Sequence, residues 1–266
     1  MAKSTYISSH LTQGQIALLQ FLDDYEIQYF SLAQLQRQYK SNIANINELA
    51  ENLCQKGFLN RIERGVYAKH TFNNIEALAL FISKNSTIAY WSALHYYGLT
   101  ERFANTLFVK TTYRKRATTI LGTSIKFVTV CNKKSIGTIT QGFGSDQIEI
   151  TNIEMTLVDC FDQPRYAGDF ENLIKAFAKA TLRAEKLITY AKAFNNIALT
   201  KRLGYLASLF QPTKLNSFII YAQKQVNAKY SLIDAGGFEE GEFNAVWKLR
   251  LNVPEEAIIK MAEDNY

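Results

Sequence analysis

The sequence predicts an α+β protein: an N-terminal winged helix-turn-helix followed by a larger mixed α/β domain with a mainly antiparallel sheet and a helical C-terminal portion. Three observations favour this fold class. An amphipathic helix over residues 42–56 is followed by Gly57 and a short basic hairpin, the middle of the chain is rich in β-branched segments, and residues from Phe170 onward repeat apolar side chains at helical spacing. We expect a boundary near residue 70, which gives domains at 1–70 and 71–266.

The first two helices are indicated by their N-terminal capping signals. Two pairs have capping-box spacing, Thr12 with Gln15 and Ser31 with Gln34. They predict helices over residues 13–23 and 32–39. The short turn Lys40-Ser41 that follows has the length that a helix-turn-helix needs to set its next helix across the second one.

The third helix has one apolar and one polar face. Its apolar positions recur at helical spacing and are Ile43, Ile46, Leu49, Ala50, Leu53 and Cys54. Asparagines and glutamates fill the opposite side. Gly57 supplies a residue suited to ending a helix, and residues 58–63 and 66–69 predict two strands joined by a tight turn at Arg64-Gly65.

The remaining elements follow from periodicity and turn signals. We predict helices over 75–83 (capped at Asn73) and 86–99, strands over 106–112, 124–131, 136–141 and 147–151, a helix from Asn152 that ends before Pro164, helices near 169–180, 184–194, 197–210 and 214–228, extended segments at 230–234 and 244–253, and a final helix over 255–265.

Composition predicts a cytoplasmic protein without a membrane partner. The chain has 266 residues, of which 47% are hydrophobic and 20% are charged, and it has neither an apolar run of about 18 residues nor a signal-peptide core. Cys54, Cys131 and Cys160 are far apart in sequence, so we expect reduced core residues instead of a zinc site or disulfides. No metal or cofactor is predicted.

The charge distribution permits nucleic-acid binding. The formal net charge is +6, and residues 1–70 carry seven Lys or Arg against six Asp or Glu. The basic residues after the first helix are Arg37, Lys40, Lys56, Arg61, Arg64 and Lys69, whereas Asp23, Asp24 and Glu26 lie together at the end of that helix. We expect this separation to leave one positive side toward phosphates.

The sequence supports a catalytic function less than it supports DNA binding. An enzyme could use Asp146, Glu149, Asp159 or Asp162, but no second acidic motif or metal-spaced histidine accompanies them. We therefore predict no enzyme, and we expect a buried carboxylate in the Asp159 and Asp162 segment to connect its helix to the sheet. The basic turn at residues 113–116 is compatible with a phosphate contact and with an ordinary solvated loop.

Four sequence blocks, taken in order, resemble the AbiEi-type antitoxins of abortive-infection toxin–antitoxin systems. The blocks are Arg64-Gly65-Val66-Tyr67, AYWSALHYYGL from Ala89, EMTLVDCFDQP from Glu154 and KRLGYLAS from Lys201. The resemblance implies a transcriptional repressor that binds inverted repeats in its own promoter, with possible self-association on DNA. It also implies an antitoxin, in its C-terminal domain, that counters a nucleotidyltransferase-like toxin without a stable complex.

The residues themselves suggest how DNA would be bound. The N-terminal end of the third helix would place asparagines at base edges in the major groove, where an asparagine can pair with adenine, and basic side chains would hold phosphates. The expected DNA-binding residues are Arg37, Lys40, Ser41, Asn42, Asn45, Asn47, Lys56, Arg61 and Arg64. The alternatives are a nucleic-acid-processing enzyme and a winged helix that serves only protein interaction.

Overall fold

The structure is a computed structural model that describes residues 10–38, 45–101 and 105–263. The chain divides into two compact units. Unit 1 comprises residues 1–82, 119–123 and 142–147, and unit 2 comprises residues 83–118, 124–141 and 148–266. This division differs from the predicted domain boundary near residue 70. Residues 71–82 and the segments 119–123 and 142–147 group with unit 1. A functional division of the chain at residue 70 stays a prediction.

Helices and a small sheet alternate in the first part of unit 1. Its elements are α1 (Gln13–Asp24), β1 (Tyr29–Ser31), α2 (Leu32–Gln38), α3 (Ile46–Gln55), β2 (Leu59–Glu63), β3 (Val66–Lys69) and α4 (Ile75–Phe81). The capping box at Thr12 and Gln15 is confirmed. The three strands lie in the order β1-β3-β2 with antiparallel pairing, and β1 was not among the predicted strands.

An apolar cluster joins the elements of unit 1 from α1 to β3. Its buried members are Leu18, Leu22, Phe30, Leu35, Ile46, Ala50, Leu53, Leu59 and Tyr67. They come from α1, β1, α2, α3 and the β2–β3 hairpin. For α3, the predicted apolar positions Ile46, Ala50 and Leu53 are the buried ones. The polar face of α3 is thereby directed away from the cluster.

The later elements include the larger sheet and most of the helices. They are β4 (Ser86–Ile88), α5 (Tyr90–Tyr96), β5 (Thr106–Thr111), β6 (Thr118–Ile120), β7 (Thr123–Thr129), β8 (Thr138–Gln141), β9 (Ile148–Thr151), α6 (Ile153–Asp162), α7 (Phe170–Lys179), α8 (Ala184–Phe194), α9 (Ile197–Phe210), α10 (Asn216–Lys224), β10 (Ser231–Leu232), β11 (Glu242–Asn244), β12 (Leu249–Leu251) and α11 (Glu255–Glu263). The predicted helical C-terminal portion is confirmed.

The large sheet is mixed, whereas the sequence predicted a mainly antiparallel one. Its strands have the order β6-β7-β5-β4-β9-β8. β5 pairs with β7 and β4 pairs with β9 in parallel, while β4 with β5 and β8 with β9 are antiparallel. A second, three-stranded sheet has the order β10-β12-β11. The parallel pairs follow from how connections cross the sheet, which strand periodicity does not encode.

Two local predictions are wrong. The helix expected over 86–99 is interrupted, because Ser86–Ile88 forms β4 and the helix begins only at Tyr90. Tyr90 has a φ of 57°, a left-handed conformation that few non-glycine residues adopt and that turns the chain from strand to helix. The cap of α4 is Asn74, not Asn73, since the Asn74 side chain accepts a hydrogen bond from the Ala77 backbone.

Helix α6 lies in the core of unit 2. Every residue from Glu154 to Phe161 is buried, and α5, α7, α8 and α9 pack against it. Cys160 is buried in this helix and Cys54 is partly buried, as expected, but Cys131 is exposed. Within the described part of the chain, no helix is both long and apolar enough to cross a membrane.

Candidate nucleic-acid interface

The N-terminal end of α3 exposes an asparagine that the protein itself does not use as a cap. Ile46, Ala50 and Leu53 bury one side of the helix, which leaves the polar side outward. Asn45 occupies the N-cap position, is exposed, and makes no capping hydrogen bond through its side chain. An N-cap asparagine normally accepts a bond from the first helical turn. The Asn45 side-chain amide makes no such bond and has no hydrogen-bond partner among residues 10–38, 45–101 and 105–263, so within that part of the chain it is available to another molecule.

Asn47 is connected to the hairpin. The hydroxyl of Tyr67, on β3, donates its one hydrogen mainly to Glu51 Oε1 at 2.7 Å, and Asn47 Oδ1 lies 3.3 Å from the same hydroxyl oxygen and shares that hydrogen. Burial and the Glu51 carboxylate raise the pKa of the Tyr67 hydroxyl, so it stays a donor across the physiological range. Of the two candidate DNA-binding asparagines in the described residues, Asn47 therefore has a structural partner, and the Asn45 side chain has no hydrogen-bond partner within those residues.

Arg61 pairs with the same carboxylate. Its guanidinium lies 3.3 Å from Glu51 Oε1, and the Arg61 side chain is 50% exposed. An ion pair this exposed contributes about 0–1 kcal/mol. Because so little holds it, Arg61 can exchange Glu51 for a phosphate oxygen at small cost.

The hairpin tip and the end of α2 expose two further cations. Arg64 lies in the turn between β2 and β3, where Gly65 has a φ of +74°. The Gly65 carbonyl accepts a hydrogen bond from the Leu32 backbone at 2.9 Å, which fixes the tip against α2. Arg37 is in the last turn of α2. Both arginine side chains are exposed, and no ion pair involves either of them among residues 10–38, 45–101 and 105–263.

Lys56 is engaged inside unit 1. Its ammonium donates to the His10 carbonyl at 2.7 Å and to Gln15 Oε1 at 2.9 Å. Gln15 is buried and forms part of the α1 capping box. Lys56 thus connects the C-terminal end of α3 to the start of α1. A phosphate that binds the Lys56 ammonium would have to displace both hydrogen bonds.

The predicted separation of charge is wrong for Lys69. The Lys69 ammonium lies 2.6 Å from Asp23 Oδ1 and 3.2 Å from the Leu22 carbonyl. Antiparallel pairing of β1 with β3 places the end of the hairpin beside the end of α1, which the sequence does not reveal. Lys40, Ser41 and Asn42, also expected to bind DNA, lie outside the described residues.

Sequence analysis missed the contacts of Tyr67 with Glu51 and Asn47, and the contact of Gln15 with Lys56. Asn47 and Glu51 are four residues apart on α3, and side chains at this spacing share a helix face. That spacing could have pointed to a common partner. The identity of the partner depends on the register of the hairpin, which brings Tyr67 opposite Arg61.

The four acidic residues considered for catalysis all have protein partners. Asp159 Oδ2 accepts from Lys110 Nζ at 2.6 Å. Asp162 accepts from Lys134 Nζ at 2.6 Å and from Asn196 Nδ2 at 3.0 Å. Asp146 accepts from Asn74, and Glu149 accepts from Thr140. No group of three or more His, Cys, Asp or Glu in the described ranges is placed to hold a metal ion.

The expected link between helix and sheet is confirmed for Asp159. Lys110 belongs to β5 and Asp159 to α6, and each side chain is 1% exposed. Burial raises the pKa of the Asp159 carboxyl to about 6, against the opposing effect of the Lys110 charge. Asp162 differs from the expectation, because its partners lie on a short 3₁₀ turn and beside α9, not on the sheet.

The basic turn at residues 113–116 stays open to both interpretations. Tyr113, Arg114 and Arg116 are exposed, and the Lys115 ammonium lies 5.6 Å from the centre of the Phe127 ring. A solvated turn and a phosphate contact are both consistent with this arrangement.

Comparison with known proteins informs the fold. The chain is similar to the crystal structure of the RV2827C protein from Mycobacterium tuberculosis, with a TM-score of 0.65, 12% sequence identity and coverage of 97% of each chain. No protein-family model and no curated protein matches the sequence. At this identity the likeness concerns the fold alone, and it supports one α+β architecture over nearly the whole chain.

Proposed function

We propose that residues 1–70 form a winged helix that binds duplex DNA, with α3 in the major groove and the β2–β3 hairpin as the wing. The order of three helices and a hairpin supports this assignment, as does the small antiparallel sheet. The single observation that carries the proposal is the exposed, uncapped Asn45 at the start of α3. The exposed arginine at the hairpin tip adds to it.

Base contacts in this proposal come chiefly from Asn45. An asparagine amide can donate to and accept from adenine at once, and a good pair of this kind is worth about 1–3 kcal/mol of discrimination. Asn47 would first have to leave the Tyr67 hydroxyl. Asn42 and Ser41, expected from the sequence at the same end of the helix, stay part of the proposal. An A·T-rich operator is the natural target.

Phosphate contacts come from Arg37, Arg64 and Arg61, with Lys40 as a further sequence-based candidate. The first two have no ion pair within the described residues, and Arg61 has only a weakly held one. Lys56 is assigned a structural role instead, because its ammonium is bound to α1. Such contacts give affinity without sequence preference and weaken as salt is added.

The DNA test compares two duplexes by fluorescence anisotropy at low and near-physiological salt. One duplex comes from immediately upstream of the gene for this chain, and the other has the same bases scrambled. We expect salt-sensitive binding that favours the native duplex at least about tenfold, or roughly 1.4 kcal/mol. Equal weak binding to both duplexes would contradict sequence-specific binding to an operator. No binding at low salt would favour a winged helix used for protein interaction.

The repressor and antitoxin roles rest on the resemblance of the four sequence blocks. The protein would act in the cytoplasm, bind inverted repeats in its promoter, self-associate on that DNA, and counter a nucleotidyltransferase-like toxin without forming a stable complex with it. It would act without being an enzyme itself. The DNA-binding and antitoxin activities would use different parts of the chain.

A growth assay separates the two activities. The neighbouring toxin-like protein is expressed with the full chain or with its Asn45→Ala/Arg64→Ala variant. We expect both to restore growth, while only the unchanged chain represses a reporter placed behind the promoter. Failure of both chains to restore growth would refute the antitoxin role and leave DNA binding to its own test.

A further inference from the structure

Unit 2 contains a cavity that the proposed function does not use. It has a volume of about 590 Å³ and lies between the α6–α7 connection, α9 and the segment after β10. Cavities of roughly 300–1,000 Å³ are the size that small molecules occupy in proteins. Its apolar walls include Phe161, Phe170, Leu173 and Ile233.

Arg202 lines this cavity, and only one of its guanidinium nitrogens, Nε, donates a hydrogen bond within the described residues. Its Nε donates to the Leu232 carbonyl at 2.7 Å, which orients the planar group. Within the described residues, the terminal amino groups of Arg202 have no hydrogen bond or ion pair. Burial lowers the pKa of Arg202, although the charges of Asp234 and Asp162 oppose that shift. The terminal amino groups of Arg202 are not among the described buried polar atoms that lack a partner, so they reach the open space of the cavity, where an acceptor can complete their hydrogen bonds.

A second arginine lines the same space. Arg165 is exposed, and its guanidinium carbon lies 4.7 Å from the centre of the Tyr166 ring. Arg165 and Gln163 also line an adjoining cavity of about 350 Å³, whose lining includes Lys126. No carboxylate pairs with Arg165 in the described part of the chain. Cationic donors therefore continue from one cavity to the next.

The carboxylates of the cavity already have backbone partners. Asp234 Oδ1 accepts from the Gly236 backbone at 2.9 Å. Asp169 caps α7 by accepting from the Asn172 backbone at 2.9 Å. Both acids therefore shape loops in the wall. The charge of Asp234 acts on Arg202, but the described residues give no ion pair or hydrogen bond between the two side chains, so the terminal donors of Arg202 stay open to an outside anion.

We propose that this cavity binds an organic anion, whose phosphate or carboxylate is held by Arg202 and Arg165 and whose flat apolar part packs against Phe170 and Ile233. A guanidinium matches the planar geometry of either anionic group with two parallel hydrogen bonds. The apolar walls would shield the bonds to the partly buried Arg202 from water and strengthen them. This site is independent of DNA binding, because all of its residues belong to unit 2.

Calorimetric titration of the full chain tests the proposal with three probes. AMP carries a phosphate and a flat ring, indole-3-acetate carries a carboxylate and a flat ring, and inorganic phosphate carries the anion alone. We expect AMP or indole-3-acetate to bind with a Kd below about 1 mM, at least tenfold tighter than inorganic phosphate. Which of the two binds more tightly identifies the anionic group.

Three variants locate the bound probe. Arg202→Lys keeps the charge but loses the planar donors, and Arg165→Met removes an exposed cation and keeps an apolar side chain beside the Tyr166 ring. Each should weaken binding at least tenfold, whereas Arg114→Met, an exposed arginine outside the cavity, should bind as the unchanged chain does. If Arg202→Lys does not fold, the affinity of Arg165→Met for the probe tests the proposal alone.

Two results would overturn the proposal. One is the absence of binding below about 1 mM by both organic probes. The other is binding that the cavity variants leave unchanged, or that inorganic phosphate matches in affinity.

Discussion

One charged pair from each unit shows two opposite environments. In unit 1, Arg61 and Glu51 lie 3.3 Å apart with side chains 50% and 35% exposed. In unit 2, Lys110 and Asp159 lie 2.6 Å apart and are each 1% exposed. An exposed pair is worth little and can be exchanged for a phosphate, whereas removing one member of a buried pair leaves an uncompensated charge. The difference indicates that the Arg61–Glu51 pair is replaceable and that the Lys110–Asp159 pair is fixed in the interior of unit 2.

The largest expected effect is on the buried pair. Lys110→Met should lower the free energy of unfolding of unit 2 by about 3–5 kcal/mol, because Asp159 then stays buried without its partner. Urea denaturation followed by tryptophan fluorescence measures this, since the two tryptophans of the chain, Trp91 and Trp247, both belong to unit 2.

Two controls sharpen that contrast. The double variant Lys110→Met/Asp159→Leu should recover most of the loss, because no charge is left behind. Arg61→Met should change the stability of unit 1, followed by far-UV circular dichroism, by no more than about 1 kcal/mol. A loss for Arg61→Met as large as that for Lys110→Met would contradict the comparison.

The buried pair also predicts a pH dependence. The pKa of Asp159 is raised to about 6 in the folded protein, above the ordinary value of 3.8, so the folded state holds this proton more tightly than the unfolded state does. Its stabilising contribution is present below about pH 4 and is lost as the pH rises through about 6.

The double variant provides the reference for this measurement. The free energy of unfolding of the unchanged chain minus that of the double variant should fall by on the order of 2 kcal/mol between pH 4 and pH 7. A difference that is constant or that rises with pH would show that burial does not dominate the Asp159 environment.

Sequence patterns anticipated the elements that carry their own signals. The capping box of α1 and the Arg64-Gly65 turn are local, and their residues were identified correctly. The strands β1 and β4 were missed because each has three residues. Strands this short depend on partners such as β3 or β5, which lie far away in sequence.

The same limit applies to the candidate site. Its residue types and helix face were evident, because asparagines and arginines recur around α3. Which of them are available could not be predicted, since Asn47 is engaged by Tyr67 and Lys56 by Gln15. Those partners come from other elements, and only the tertiary structure brings them together.

A smaller effect is expected on DNA preference. Asn45→Ala should reduce the preference for the native over the scrambled duplex about tenfold, because one adenine contact is lost, and should leave binding to the scrambled duplex nearly unchanged. Asn73→Ala, an exposed asparagine outside α3, serves as the matched control. An equal loss on both duplexes would reassign Asn45 to general backbone contact.

The smallest expected effect separates two cations of unit 1. Arg64→Ala should reduce the slope of log K against log salt by about 0.9, which corresponds to one phosphate contact. Lys56→Met should leave the slope unchanged and instead lower the stability of unit 1, because Lys56 connects α3 to α1. Equal changes in slope for the two variants would show that Lys56 also contacts a DNA phosphate.

Hydrogen–deuterium exchange of the full chain, with and without the native upstream duplex, tests most directly whether unit 1 provides the DNA-binding surface. The account predicts that DNA slows exchange in peptides covering residues 45–55 and 59–69 and leaves peptides from α6 unchanged. Protection that is confined to unit 2, for example to the basic turn at residues 113–116, would contradict it.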